Sequence, residues 1–341
     1  MRKRIWVIGT AIAALTAAPL GLAAPQGALA DSSAARLSHP DDLTALGGHL
    51  FVAYQNGVGP KGEPSPTGQT HSAVAEVNSR GHVRQLWWLP GKCDGLTADP
   101  TRHRLLATVN EDGDSALYAI YPQAHPAAQI RRYNYRPRVL PHGGGTDAVS
   151  IYHGQILIAA SAPTTAGGPA TYRVTLHANT ADLTPLFGDH ARAVVANRDA
   201  SNHGQTVRLA LTDPDSNAVV PAASPRFAGD FELTSQAEQV QIYVRDPGRP
   251  TQRLSVLHLS AEVNDTAWIT SRRGTLYLTD NTTGRLLSLT GSFTPGQAYV
   301  TAATPNGTSN YLGRLDLATG HVTPILTGLT DAAGLLYLPA T

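Results

Sequence analysis

The chain has 341 residues, 42% of them hydrophobic but only 6% aromatic, with 26 basic and 25 acidic side chains and a formal net charge of +1. That near balance leaves no electrostatic case for nucleic acid or an anionic membrane surface as a partner. One cysteine, Cys93, excludes an internal disulfide and a cysteine-built metal centre.

Residues 1–30 read as a secretory signal. Arg2, Lys3 and Arg4 form a basic start, Ile5 to Ala24 carries no charge, and Ala28-Leu29-Ala30 offers the small-x-small site of signal peptidase. Retention as an anchor is the alternative, and Pro19, Gly21 and Pro25 weaken it. Cleavage before Asp31 leaves 311 residues with 23 basic and 25 acidic side chains, and residues 31–341 are predicted to form a single domain. No later segment is apolar enough over sufficient length to span a bilayer. The expected location is secreted or associated with the cell envelope.

From there a phrase recurs: an Asp, small or apolar residues, a turn, then an apolar strand. Asp42-Leu43-Thr44-Ala45-Leu46 leads into His49–Tyr54, Asp94-Gly95-Leu96-Thr97-Ala98 into Leu105–Val109, and Asp147-Ala148-Val149-Ser150-Ile151 into Gln155–Ala159. Each interval holds about four strands, the content of a propeller blade in a repeat of roughly 40–50 residues. Strands are predicted near 42–47, 49–55, 72–78 and 82–89, then 95–99, 104–109, 115–121 and 128–134. A third set falls near 147–152, 155–160, 170–176 and 181–187.

Residues 188–230 are irregular and read as an insertion, with Asp213-Pro214-Asp215-Ser216-Asn217 as a turn-rich run. A fourth blade is predicted to open at Asp230-Phe231-Glu232-Leu233. The phrase returns at Asp265-Thr266-Ala267-Trp268-Ile269 before Leu276–Thr279, and at Asp331 before the chain ends. The C-terminus supplies only part of a blade, so closure requires strands from elsewhere in the chain, which removes exposed sheet edges. The predicted fold is all-β, a β-propeller of six four-stranded blades.

With the Asp-led phrases, the Gly-Thr-Leu-Tyr-Leu-Thr-Asp-Asn element at 274–281 and the Leu-Asp-Leu-Ala-Thr-Gly hairpin at 315–320, the chain resembles the exported six-bladed β-propellers that include NHL-repeat, gluconolactonase-type and YncE-like proteins. The pairing of Thr-Asp-Pro-Asp-Ser-Asn-Ala-Val-Val-Pro at 212–221 with Val-Asn-Asp-Thr-Ala-Trp at 263–268 is similar to a group of secreted bacterial proteins with no assigned activity. The resemblance implies architecture and location. Its gluconolactonase-type members imply an alternative, a metal-dependent hydrolase in which a channel divalent ion polarises a carbonyl and a carboxylate acts as base. This sequence departs from that pattern, with Asp42 in place of a Glu and Pro305-Asn306-Gly307 in an outer loop.

If each phrase opens an inner strand, Asp42, Asp94, Asp147, Asp230, Asp265 and Asp331 gather at one mouth of the central channel with Asn110 and Asn264. Such oxygens suit Ca²⁺ or another divalent cation, or a polar ligand. The same residue type also caps turns by accepting backbone N–H groups. The expected function is a binding or interaction module taking a small molecule or an extracellular protein or glycan, acting as a monomer. No nucleophile elbow, zinc-protease helix or phosphate-binding loop is present. Cys93 reads as a small core residue and Gly143-Gly144-Gly145 as a flexible turn. His39, His71 and His142 are candidates to approach the mouth, and Trp87-Trp88 to alternate faces of a strand. The Gly- and Pro-rich stretch from Gly57 to Thr70 reads as an overhanging loop.

Overall fold

The computed structural model of the chain describes residues 37–78, 82–304 and 307–340; the predicted signal at 1–30 lies outside them. Gly47 and Gly48 take φ of +60° and +82° and close a two-residue turn between β1 (Pro40–Leu46) and β2 (His49–Tyr54). A type I′ hairpin needs positive φ at both positions, which glycine adopts without strain. β3 (His71–Val77) and β4 (Val83–Pro90) complete blade 1. Blade 2 is β5 (Cys93–Asp99), β6 (Arg104–Val109), β7 (Ala116–Ile120) and β8 (Ile130–Arg136). Blade 3 is β9 (Gly145–Tyr152), β10 (Gln155–Ser161), β11 (Pro169–His177) and β12 (Thr180–Gly188). All three follow the predicted order.

The insertion before blade 4 is not merely a loop. Its β13 (Arg192–Val195) and β14 (Thr206–Arg208) extend that blade at its outer edge. The inner strand is β15 (Pro214–Val219), followed by β16 (Phe231–Ser235), β17 (Val240–Arg245) and β18 (Arg253–His258). The run expected as a turn is therefore the inner strand, and the phrase at Asp230 opens the second one.

The last two blades interleave. β19 (Val263–Trp268) is followed by β20 (Arg273–Asp280) and β21 (Arg285–Ser292), but β19 pairs with β22 (Ala298–Ala303), which continues to β23 (Asn310–Leu315) and β24 (Val322–Leu329). β20 and β21 instead join the C-terminal β25 (Ala332–Pro339) as blade 6. The strands that complete the C-terminal blade come from elsewhere in the chain, as expected, but they come from within blade 5.

The innermost strands β1, β5, β9, β15, β19 and β25 pack side by side in a closed ring, and the second strand of each blade packs on the innermost strand of the next. The result is a six-bladed β-propeller. Its core is divided into six apolar clusters, one at each blade interface. In β6, Leu105 and Ala107 face blade 1 while Leu106 faces blade 3. Both faces of the strand are buried, so it reads as an unbroken apolar run. Trp87 is buried beside Phe51 and Trp88 is exposed, the expected alternation. Cys93 is buried. Among the described residues no helix is long and apolar enough to cross a membrane.

Candidate binding site at the channel mouth

Each innermost strand breaks register with its partner near its first residues. The breaks lie at Pro40/Leu43, Cys93/Leu96, Pro214/Asn217 and Val263/Asp265 on β1, β5, β15 and β19, and opposite Ile158/Ala160 on β9 and Leu278/Asp280 on β25. A bulge suspends the strict alternation of side chains, so consecutive residues can both face the axis. Asp41 and Asp42 do so, as do Asn264 and Asp265.

Threonines on second strands fix the register across blades. Thr108 Oγ1 accepts from Gly95 N at 2.9 Å and donates to Asp147 O of the next blade at 2.6 Å. Thr279 links Gly334 N to Asp41 O, and Thr301 links Asp265 N to Ala333 O, in the same way. Asp41, Asp94, Asp147, Asn264 and Ala333 are therefore equivalent positions. Asp215, beside Asp147, completes that tier. It encloses, with side chains from neighbouring loops, a cavity of about 260 Å³.

The next tier holds Asp42 and Asp265, and both spend their carboxylates on backbone. Asp42 accepts from Leu43 N and from Leu96 N of the next blade, both at 2.6 Å. Asp265 accepts from Thr266 N at 2.7 Å and from Leu335 N at 2.6 Å. These two stitch inner strands together. Burial pushes the Asp265 carboxyl up to about 6, and it pushes Asp42 well above the carboxylate range with Asp265 adding to the effect.

Loops supply the remaining mouth groups. Lys92 Nζ lies 2.9 Å from Asp94 Oδ1 and pairs with Glu111 Oε1. Gln55 donates to Asp94 Oδ1 at 3.1 Å, and Asn281 donates to Gln55 Oε1 at 3.2 Å. Asp331 lies at the rim, accepting from Thr282 Oγ1 at 3.1 Å. Asp94 Oδ2 and Asp215 Oδ2 are buried with no hydrogen-bond partner. Asp41, Asp94, Asp147, Asp215, Glu111 and Asp331 thus face one lysine. Burial raises Asp41 to about 7 despite Lys92, and it raises Asp94, Asp147 and Asp215 well above their usual range.

Two predicted site residues are elsewhere. Asp230 sits at the opposite end of blade 4, because Val219 pairs with Phe231 while Pro214 pairs with Ser235, and it accepts from Arg245 Nε at 2.6 Å. Asn110 spends its amide on Lys92 N at 2.9 Å and Asp114 O at 3.2 Å, positioning Lys92 rather than facing the channel. His142 is buried, bonded to Tyr172 Oη at 2.8 Å and Gly145 O at 2.8 Å, and does not approach the mouth. Asp41, Lys92, Glu111, Asp215, Gln55 and Asn281 went unread. Only Asp41, adjacent to Asp42, carried a local signal.

The residues do not fit a ready-made metal centre. Among the described residues no three His, Cys, Asp or Glu side chains converge to hold one ion, and the Lys92 ammonium lies against Asp94.

No protein-family model matches the chain, and no curated protein matches it. Solved structures similar to it include the periplasmic gluconolactonase PpgL of Pseudomonas aeruginosa, at 12% identity over 89% of each chain with a TM-score of 0.43. Streptogramin B lyase matches at 11% identity over 95% of this chain and 91% of its own, with a TM-score of 0.45. The β-propeller domain of Myceliophteria thermophila Cps50 (Swd1) matches at 10% identity over 86% and 88%, with a TM-score of 0.47. These are likenesses of fold alone.

Proposed function

We propose that the protein is an exported binding module whose channel mouth takes a small positively charged ligand, an organic amine. The observation that carries this reading is the pair of buried, unpartnered oxygens Asp94 Oδ2 and Asp215 Oδ2 in a cavity where carboxylates outnumber ammonium groups. A buried polar atom without a partner costs about 1–3 kcal/mol, which a ligand's N–H group or a cation offsets. Export rests on the basic start, apolar stretch and Ala28-Leu29-Ala30 site.

A cation favours ionised carboxylates, so binding displaces protons from groups such as Asp41 and strengthens as pH rises through about 7. Calorimetry with 1,4-diaminobutane, and with CaCl₂ for comparison, tests this in buffers of differing ionisation enthalpy. The expected result is saturable binding with proton release, lost in D94N and D215N. Absence of heat and of any thermal shift with 1,4-diaminobutane between pH 6 and 8 overturns it. The hydrolase alternative has less support, since among the described residues no three ligating side chains converge. Turnover of a lactone panel with added Ca²⁺, lost in D94N, would restore it. N-terminal sequencing of the protein from culture supernatant checks export, and an intact Met1 would refute cleavage.

A further inference from the structure

We infer that a second ligand site, for an oxyanion, lies in the groove between blades 4 and 5 that Arg198, Arg226 and Arg314 line. The groove has a volume of about 510 Å³ and is independent of the channel. Arg198 follows β13, Arg226 lies in the loop between β15 and β16, and Arg314 is on β23. His321 adds a fourth nitrogen donor.

Arg226 is fixed before any ligand arrives. Its guanidinium donates to Leu317 O and, at 2.9 Å, to Ala196 O, so it bridges the two blades. It lies 4.7 Å from the centroid of the Phe227 ring, which stacks on Tyr243 with centroids 3.7 Å apart and planes 8° apart. Burial, and then Arg198 beside it, push the Arg226 guanidinium below its ordinary value. Neighbouring guanidinium groups repel unless an anion lies between them.

Among the described residues the groove is lined by one carboxylate, Asp316, which lies near enough to Arg226 and His321 to interact with both. Asp316 accepts from Ala318 N at 2.7 Å in its own turn, and this and further turn hydrogen bonds hold it below the usual range. The guanidinium groups of Arg198 and Arg314 have no hydrogen bond or ion pair with any described residue. Among the described residues three arginines therefore line a groove that holds one acid, in a chain with nearly balanced charge. A planar guanidinium fork matches phosphate, sulfate or carboxylate with two parallel hydrogen bonds. The ligand class is an oxyanion, free or at the end of a larger molecule.

The test is thermal unfolding and calorimetry on the secreted-length chain at low ionic strength. Inorganic phosphate, sulfate and citrate are the probes, with sodium chloride at matched ionic strength as control. Phosphate alone sufficing points to a free ion, and citrate binding at least tenfold tighter points to a multiply charged organic acid. Both outcomes support the site if R198A and R314A each weaken binding about tenfold or more. R253A, which removes an exposed arginine on β18, should leave binding unchanged. A midpoint rise that chloride reproduces, or binding that survives R198A and R314A together, overturns the assignment.

Discussion

Asp42 and Asp265 use both carboxylate oxygens on backbone N–H groups, whereas Asp94 and Asp215 each keep one oxygen unused at the same mouth. This difference between adjacent tiers has a measurable counterpart in pH dependence. Asp41 moves from an ordinary 3.8 to about 7, and Asp265 from 3.8 to about 6. Glu232, buried within blade 4, moves from 4.5 to about 8. Between each pair of values the folded state binds more protons than the unfolded chain, so stability falls as pH rises from about 4 to about 8. Thermal unfolding should therefore show a lower midpoint at pH 8 than at pH 5 without added cation, and D41N should flatten part of that slope. A midpoint that rises over the interval would contradict the buried, protonated state of these groups. The aspartates at 94 and 147 were legible in the sequence because their phrases repeat. Asp41 had only its place beside Asp42 to mark it, because a bulge turns two successive residues inward and alternation selects only one. Lys92, Gln55 and Asn281 come from loops whose periodicity says nothing about the axis.

Strand order shows where local pattern suffices. Blades 1 to 3 follow the sequence strand by strand, since hairpin turns and apolar runs decide them. Blade 4 misleads: Pro214 and the acidic run mimic a turn, although proline is tolerated as the first residue of a strand. The interleaving of β19 to β25 has no local sign, since β20 follows β19 with the spacing of a normal second strand. Across these elements the threonine stitches are the recurrent polar device. Thr108→Val removes the acceptor of Gly95 N and the donor to Asp147 O at a buried junction. It should lower stability by about 1–3 kcal/mol in denaturant titrations, and Thr279→Val and Thr301→Val should behave alike. Changes below about 0.5 kcal/mol at all three would show that water replaces the hydroxyls. The Gly143–Gly145 segment is tight where flexibility was expected. A Cβ on Gly144 would lie 2.1 Å from Ser161 O, and one on Gly145 2.2 Å from Glu111 O.

At the scale of the molecule, stability resides in six interfaces around a polar axis, and no central apolar core exists to compensate for an open ring. The cluster joining blade 6 to blade 1 brings Leu286 against Leu43, Val52 and Val77. Ending the chain at residue 330 removes β25, which supplies the inner strand of blade 6 and the partner of β20. That truncation should abolish a single cooperative unfolding transition in calorimetry and leave β20 and β21 without their sheet. Retention of one sharp transition would show that five blades close by themselves.

The dovetailed final blades also dictate an order of events. In a chain synthesised from its amino end, the hairpin of β20 and β21 emerges well before β25 does. Until the last few residues are delivered, that hairpin presents a raw edge that any passing strand could capture. A cell making this protein thus has reason to shelter the nearly finished polypeptide, and delivery of β25 is the moment at which the circle locks.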